Sequence, residues 1–266
     1  MPQAPRKPTI LVTNDDGPFS PGLWILYEAV KDLGNVHVVV PETPKSATGL
    51  GLTLHKPLRM NKLSYSGRTV YVVSGTPSDV IYVAMNTVVG KPDLVVSGVN
   101  IGDNLSVQVI LSSGTVGAVL QAAIEGIPGI AFSAAVDEPE EMEEERYREH
   151  VLNIVRELTS AVLREGMPRG VDVLNVNFPS VLARDIAVVR AARKRFTTSI
   201  VKRRDPRGIP YYWLYGQPVE AEPGTDVHTV LEKGKIAVTP LKLPVSYVES
   251  EEVKRIVEEI KGKITW

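Results

Sequence analysis

The chain has 266 residues, 43% of them apolar and 23% charged, the balance of a globular protein with a real core rather than of a disordered segment. Thirty basic residues against 31 acidic ones leave a net charge of −1, which excludes a global electrostatic drive toward nucleic acid or an anionic membrane. Cysteine is absent, so disulfide frameworks, thiol nucleophiles, thiolate zinc sites and iron–sulfur clusters are excluded together.

The first apolar run, Ile10-Leu11-Val12, is far shorter than a signal-peptide core and meets Asn14, Asp15 and Asp16 at once. No uncharged apolar run approaches the roughly 20 residues of a membrane-spanning helix, and the expectation is a cytoplasmic protein. Short β-branched runs follow at residues 9–13, 36–40, 69–73, 93–97 and 129–133, with helical candidates at 21–33, 77–89 and 115–125. Several of the runs are apolar throughout, as parallel strands covered on both faces require. This alternation predicts an α/β fold with a Rossmann-like, doubly wound, mostly parallel sheet. Beyond residue 136 an acidic stretch at 137–145 leads into an amphipathic helix ending near residue 164, and strands are expected at 172–178 and 186–191. Residues 194–215 turn basic and then aromatic around Pro206 and Gly208, predicting a long hairpin. A strand at 235–239 and a charged helix at 249–261 complete the chain.

Ligands of open α/β sheets bind beyond the carboxyl ends of the strands, so the loops there carry the chemistry. The first strand ends in Asn14-Asp15-Asp16-Gly17. Asp-Gly is a common turn, but adjacent carboxylates repel, and a cation that neutralises both explains their density better. The second loop, residues 41–49, reads by itself as a plain polar loop. The third strand runs into Gly75-Thr76-Pro77-Ser78-Asp79, where Thr76 caps a helix, Pro77 takes its first position and Asp79 closes a capping box. The fourth ends in Ser97-Gly98-Val99-Asn100-Ile101-Gly102-Asp103-Asn104, whose carboxamides are turn formers and also hard ligands for Mg²⁺, Mn²⁺ or Ca²⁺. Ser112-Ser113-Gly114-Thr115 then enters a helix with Val116 and Ala118 where a capping-box acid would stand, so N–H groups there are expected to be open to an anion. A metal and an anion on one rim fit the combination. The chain has no Walker A loop, no Gly-x-Gly-x-x-Gly and no His-Glu-x-x-His, which removes kinase, dehydrogenase and zincin readings. His37, His55 and His150 lie outside these loops, and His228, in Thr225-Asp226-Val227-His228, is the histidine to watch.

The run from Ile10 through Thr13-Asn14-Asp15-Asp16-Gly17, with Pro21-Gly22 after it, resembles the opening signature of the SurE survival-protein nucleotidases. The likeness continues in order through residues 41–46, Ser74-Gly75-Thr76-Pro77, residues 92–100, Ser113-Gly114-Thr115-Val116-Gly117, Asn175-Val176-Asn177-Phe178-Pro179, Pro206-Arg207-Gly208, Tyr211-Tyr212-Trp213 and Val238-Thr239-Pro240-Leu241. The resemblance implies a metal-dependent phosphatase acting on nucleoside 5′- and 3′-monophosphates, with a C-terminal region used in dimer or tetramer assembly. It implies that Asp15, Asp16, Ser46 and Asn100 hold one divalent metal ion. Two departures stand out. The segment Ser106-Val107-Gln108-Val109-Ile110-Leu111-Ser112 lacks the acidic pair and the Tyr that the family places before Ser-Gly-Thr, and is one residue longer, which bears on substrate preference. Lys242-Leu243-Pro244-Val245 lacks the Asp that follows Thr-Pro-Leu in the family, which bears on C-terminal packing.

The resulting expectation is metal-assisted hydrolysis of a phosphomonoester. Asp15 and Asp16 are its catalytic metal holders, Ser46 and Asn100 complete the coordination, and Asn104, Ser113, Gly114 and Thr115 hold the phosphate. Alternatives are an aspartyl-phosphate phosphatase with Asp15 as nucleophile, whose usual Asp-x-Asp spacing is missing, and a nucleotide-binding regulator without turnover. Residues 1–180 are expected to form the catalytic domain and residues 181–266 a hairpin and oligomerisation region packed on it. Tyr211, Tyr212, Trp213 and Tyr215 are the expected interface anchors. Lys202, Arg203, Arg204 and Arg207 could meet nucleic acid or polyphosphate, but on a near-neutral chain a solvated hairpin is the better reading.

Overall fold

Ile10 and Val12 face one side of a sheet and Leu11 the other, because side chains alternate along a strand, and all three are fully buried. A strand buried this way must sit inside a layer with helices on both faces, and the computed structural model, which describes residues 6–243 and 250–261, has that form. In chain order the elements are β1 (Thr9–Thr13), α1 (Pro21–Val30), β2 (Asn35–Pro41), β3 (Met60–Tyr65), β4 (Arg68–Val73), α2 (Pro77–Thr87), β5 (Leu94–Ile101), α3 (Ser106–Ser112) and α4 (Gly114–Ile124). They continue with β6 (Gly129–Ala134), α5 (Pro139–Glu143), α6 (Glu145–Glu165), β7 (Val173–Phe178), β8 (Ile186–Val188), β9 (Ser199–Arg204), β10 (Pro210–Tyr215), a π-helical stretch (His228–Glu232), β11 (Ile236–Leu241) and α7 (Glu251–Lys261). Pro244, Val245 and Glu249, which enter the expectations above, lie outside the described residues.

One nine-stranded sheet has the order β3-β4-β2-β1-β5-β6-β7-β11-β8. The strands from β4 to β7 pair in parallel throughout, whereas β3 and β11 join antiparallel. Numbered by chain order, the parallel core reads 3-2-1-4-5-6, the doubly wound arrangement in which the order reverses between β1 and β5. A crevice opens where connections leave in opposite directions, so Asp15 and Asp16 after β1 and Asn100 near the end of β5 flank the place where such sheets bind ligands. On one face Ile10 and Val12 pack with Leu23 and Leu26 of α1 and Val151 and Val155 of α6. On the other, Leu11 packs with Val80 and Ile81 of α2 and Val116 and Val119 of α4.

The expected strands and helices are present, though β8 stops at Val188, α5 and the π-helical stretch were not expected, and further differences bear on the site. β3 was not expected: residues 61–64 are exposed, and an edge strand held by its ladder to β4 needs no apolar alternation. α3 falls where no element was expected. β5 runs on to Ile101 through an irregularity in its pairing with β6 between Ser97 and Asn100, the kind of break that strands use next to sites. The expected hairpin is the separate two-stranded ladder of β9 and β10, whose β10 residues are all exposed. Among the described residues no single helix is long and apolar enough to cross a membrane.

Candidate active site

The loop after β1 is pinned by Asn14, whose Oδ1 accepts the Gly17 N–H at 3.1 Å while its Nδ2 donates to the Gly17 carbonyl at 2.9 Å. The Asp15 carbonyl accepts the Lys45 N–H at 2.7 Å, which ties the loop carrying Ser46 to the loop carrying the aspartates. The Asp15 carboxylate is buried and accepts the Thr115 hydroxyl, from the start of α4, through Oδ1. Gly114 permits this contact: a Cβ there would lie 2.7 Å from Asp15 Cβ, 2.9 Å from Asp15 Oδ2 and 3.0 Å from the Lys45 carbonyl oxygen. The same seam continues at Gly117, where a Cβ would stand 2.3 Å from the Gly49 carbonyl oxygen, and the Gly49 N–H donates to the Ser112 carbonyl at 2.9 Å. Three of the singled-out loops are thus locked backbone to backbone.

Asp16 is half-buried, and its Oδ2 is shielded from solvent without a hydrogen-bond partner. A buried carboxylate oxygen left unpaired costs free energy unless something positive or donating meets it. Burial, and then the charge of Asp15, push the Asp16 carboxyl up to about 7 against the opposing Ile101 N–H. Burial also raises Asp15, tempered by the Thr115 hydroxyl and by backbone N–H groups. Asn100 donates its Nδ2 to the Gly102 carbonyl at 2.8 Å, which commits the donor end and leaves the carboxamide oxygen as the end able to coordinate. Ser46 is exposed on its loop. Among the described residues no three His, Asp or Glu side chains cluster, so the donor set is a carboxylate pair with neutral oxygens. That is hard-cation chemistry, and the unpaired Asp16 Oδ2 fits a divalent ion.

The start of α4 is less open than expected. Ser113 Oγ accepts the Val116 N–H at 3.1 Å, and the Ser113 N–H goes to the Val109 carbonyl at 2.8 Å. The Thr115 N–H is directed at Asp15. The Gly114 N–H has no partner among the described residues, and the Ser113 hydroxyl hydrogen is not committed. Asn104 is buried, donates Nδ2 to Ser133 Oγ at 2.7 Å, and is clamped through its backbone by Asn175 and Asn177 at 2.8 to 3.4 Å. Of the segment holding His228, the structural residue is Asp226, whose carboxylate accepts the N–H groups of Ser106, Ala192 and Val227, each at 2.8 Å. His228 instead lies 3.7 Å from Glu232. A buried Asp with three local and distant N–H donors leaves no trace in sequence beyond its turn-like neighbours.

The family model described as survival protein SurE matches residues 10–199. A Thermofilum pendens protein called 5′-nucleotidase SurE is 69% identical over 258 residues, covering 96% of this chain and 99% of its own. A Hyperthermus butylicus protein of the same name is 56% identical over 259 residues, covering 96% and 92%. The crystal structure of the SurE protein from Aquifex aeolicus aligns with a TM-score of 0.76 at 36% identity, over 96% of this chain and 100% of that one. The match extends over the β1 and β5 loops that carry the aspartates and Asn100 and over the sheet that positions them, and the chain belongs to the SurE survival-protein family.

Proposed function

We propose that this chain is a divalent-metal-dependent phosphomonoesterase that hydrolyses nucleoside 5′- and 3′-monophosphates to nucleoside and phosphate. The observation that carries the reading is the shielded, unpaired Oδ2 of Asp16 beside the buried Asp15. Binding a phosphate alone gives no reason to concentrate negative charge opposite it, whereas holding a cation does. Asp15 and Asp16 would hold an ion such as Mg²⁺ or Mn²⁺, with Ser46 and Asn100 completing its oxygen donors. When bound, such an ion supplies positive charge to the phosphoryl oxygens and acidifies water. The Gly114 N–H and the Ser113 hydroxyl orient the phosphate, Thr115 holds Asp15 in place, and Asn104, with one Nδ2 hydrogen not committed to Ser133, is the further phosphate contact.

Residues 1–180 are read as the catalytic domain and residues 181–266 as a hairpin and oligomerisation region packed on it, in a cytoplasmic dimer or tetramer. The exposed apolar side chains of β9 and β10, with Trp213 60% and Leu214 81% exposed, favour a self-association face over nucleic acid or polyphosphate binding by the basic residues nearby. The test is phosphate release from a panel of nucleotides with Mg²⁺, Mn²⁺ or Co²⁺, and with EDTA. Release from monophosphates that EDTA abolishes and a metal restores is expected. No release under any of these ions would replace turnover by binding alone.

A further inference from the structure

A cavity of about 430 Å³ opens between α3 and the root of the hairpin, lined by Gln108, Val109, Ser112, Phe196, Leu214 and Tyr215 among others. Its volume is that of a small-molecule site. It lies beside the candidate active site along the chain: Ser112 of its lining directly precedes Ser113, and consecutive Cα atoms are about 3.8 Å apart. Two aromatic side chains, Phe196 and Tyr215, contribute to it. The Phe196 ring is steadied by the Arg195 guanidinium, 4.7 Å from its centroid, and Arg195 is in turn 3.4 Å from the Asp103 carboxylate. Gln108 Oε1 accepts the N–H groups of Arg195 and Phe196, both at 3.0 Å. That fixes the carboxamide with its Nε2 end uncommitted, since Nε2 has no acceptor among the described residues. Aromatic rings and two unspent amide hydrogens in one lining suit a flat heteroaromatic with acceptors on its edge.

We propose that this cavity receives the base of the substrate nucleotide while its phosphate lies at Ser113 and Gly114. The inference rests on the nucleotidase reading and names the part of the chain that distinguishes a nucleotide from a plain sugar phosphate. Phe196 and Gln108 are the specificity positions. Every purine and pyrimidine presents a π face and at least one edge acceptor, so this wall admits the class rather than one base.

The test uses the full-length protein with Thr198→Trp, which fills the cavity from an exposed position on its lining, and with Phe196→Ala. Phosphate release is compared for AMP and for ribose 5-phosphate, which lacks a base. The kcat/KM for AMP is expected to fall about 5- to 150-fold, chiefly through KM, the range that loss of one base-stacking contact produces. Turnover of ribose 5-phosphate is expected to stay within about twofold, since uniform binding to the base is not used there. An equal fall for both substrates would make the cavity mere scaffolding of the rim, and unchanged AMP kinetics would put the base elsewhere. Either overturns the proposal. If Phe196→Ala unfolds, Thr198→Trp carries the comparison alone. Saturation-transfer NMR with adenosine separates this inference from turnover. Adenosine contacts that vanish in Thr198→Trp support the cavity even if no monophosphate is hydrolysed, in which case only the nucleotidase reading falls. Absence of transfer to adenosine in the unmodified protein defeats the cavity proposal while leaving phosphate release to stand or fall by itself.

Discussion

Gly114→Ala separates the site from the fold. The added methyl carbon would lie 2.7 Å from Asp15 Cβ and 3.0 Å from the Lys45 carbonyl oxygen, where carbon pairs ordinarily rest at about 3.5–4.0 Å. Neither neighbour is the free end of a long side chain, so the loops must separate by most of an ångström. Overpacking of this kind costs about 1–3 kcal/mol. Replacing Gly by Ala in a helix returns about 0.5–1 kcal/mol. The net loss is then between nothing and about 2.5 kcal/mol, which for a chain of this size lowers Tm by at most about 10 °C. The site suffers more, because a displacement near 1 Å of a positioning group costs about 100-fold in rate. Thermal unfolding by circular dichroism, calorimetric Mn²⁺ titration and phosphate-release kinetics read the three quantities. A folded variant with weakened metal binding and turnover down about 100-fold is expected. Wild-type metal affinity and rate in the folded variant would refute the claim that Gly114 sets the position of Asp15.

Asp15→Asn and Asp16→Asn should each keep the fold and lose metal affinity and turnover by orders of magnitude, since a carboxamide coordinates without neutralising; calorimetry beside rates checks this, and two unaffected variants would move the site elsewhere. Asp79→Ala should cost about 1 kcal/mol, because Asp79 accepts the N–H groups of Thr53 at 3.0 Å and Thr76 at 2.9 Å. Burial alone would raise the Asp79 carboxyl, but those bonds win and hold it below its ordinary value of 3.8, so the stability it contributes is complete above that pH and fades as pH falls through the lower folded value. Denaturant titrations of both proteins should therefore converge toward strong acid, and a gap that widens there contradicts the assignment. Replacing Trp213 and Leu214 by Ser should lower the mass seen in light scattering to that of a smaller assembly, and a monomeric unmodified chain removes the interface altogether. Acid-quenching during turnover of a radiolabelled monophosphate should leave no label on the protein, because Asp15 is engaged by Thr115; label that hydroxylamine releases and Asp15→Asn abolishes would make Asp15 the nucleophile.

The parallel strands were legible because burial on both faces forces them to be apolar throughout, as in Ile10-Leu11-Val12 and Val38-Val39-Val40. β3 was not, since Asn61, Lys62, Leu63 and Ser64 are exposed and its register comes from the ladder to β4 and the turn at Ser66 and Gly67, both at positive φ. α3 was hidden for a different reason: its first N–H, that of Ser106, is satisfied by Asp226, 120 residues further on, a partner no local pattern reveals. In the site, donor chemistry made the paired aspartates and the carboxamide of Asn100 candidates, while Ser46, on a plain polar loop, was singled out only through the family resemblance. Thr115 could be selected as a hydroxyl at a helix start, but its bond to Asp15 spans 100 residues of sequence, so its service to a carboxylate was not readable.

The residues beyond 180 are joined to those before it through the sheet itself. β11 pairs with β7 and β8 with β11, so residues beyond 180 extend the same sheet that carries the site. Asp226, from this region, gathers N–H groups from α3 and from Ala192, and although burial raises its carboxyl, those bonds favour the charged form and hold the two segments together. Arg195 and Phe196 reach back to Asp103 and Gln108 on either side of the start of α3. The hairpin root is thus bonded to α3, and α3 ends at Ser112, two residues before Gly114. If β9 and β10 meet a second copy of the chain, that contact falls on the element whose root is bonded to Asp103 and to Gln108 of α3 by groups that already touch.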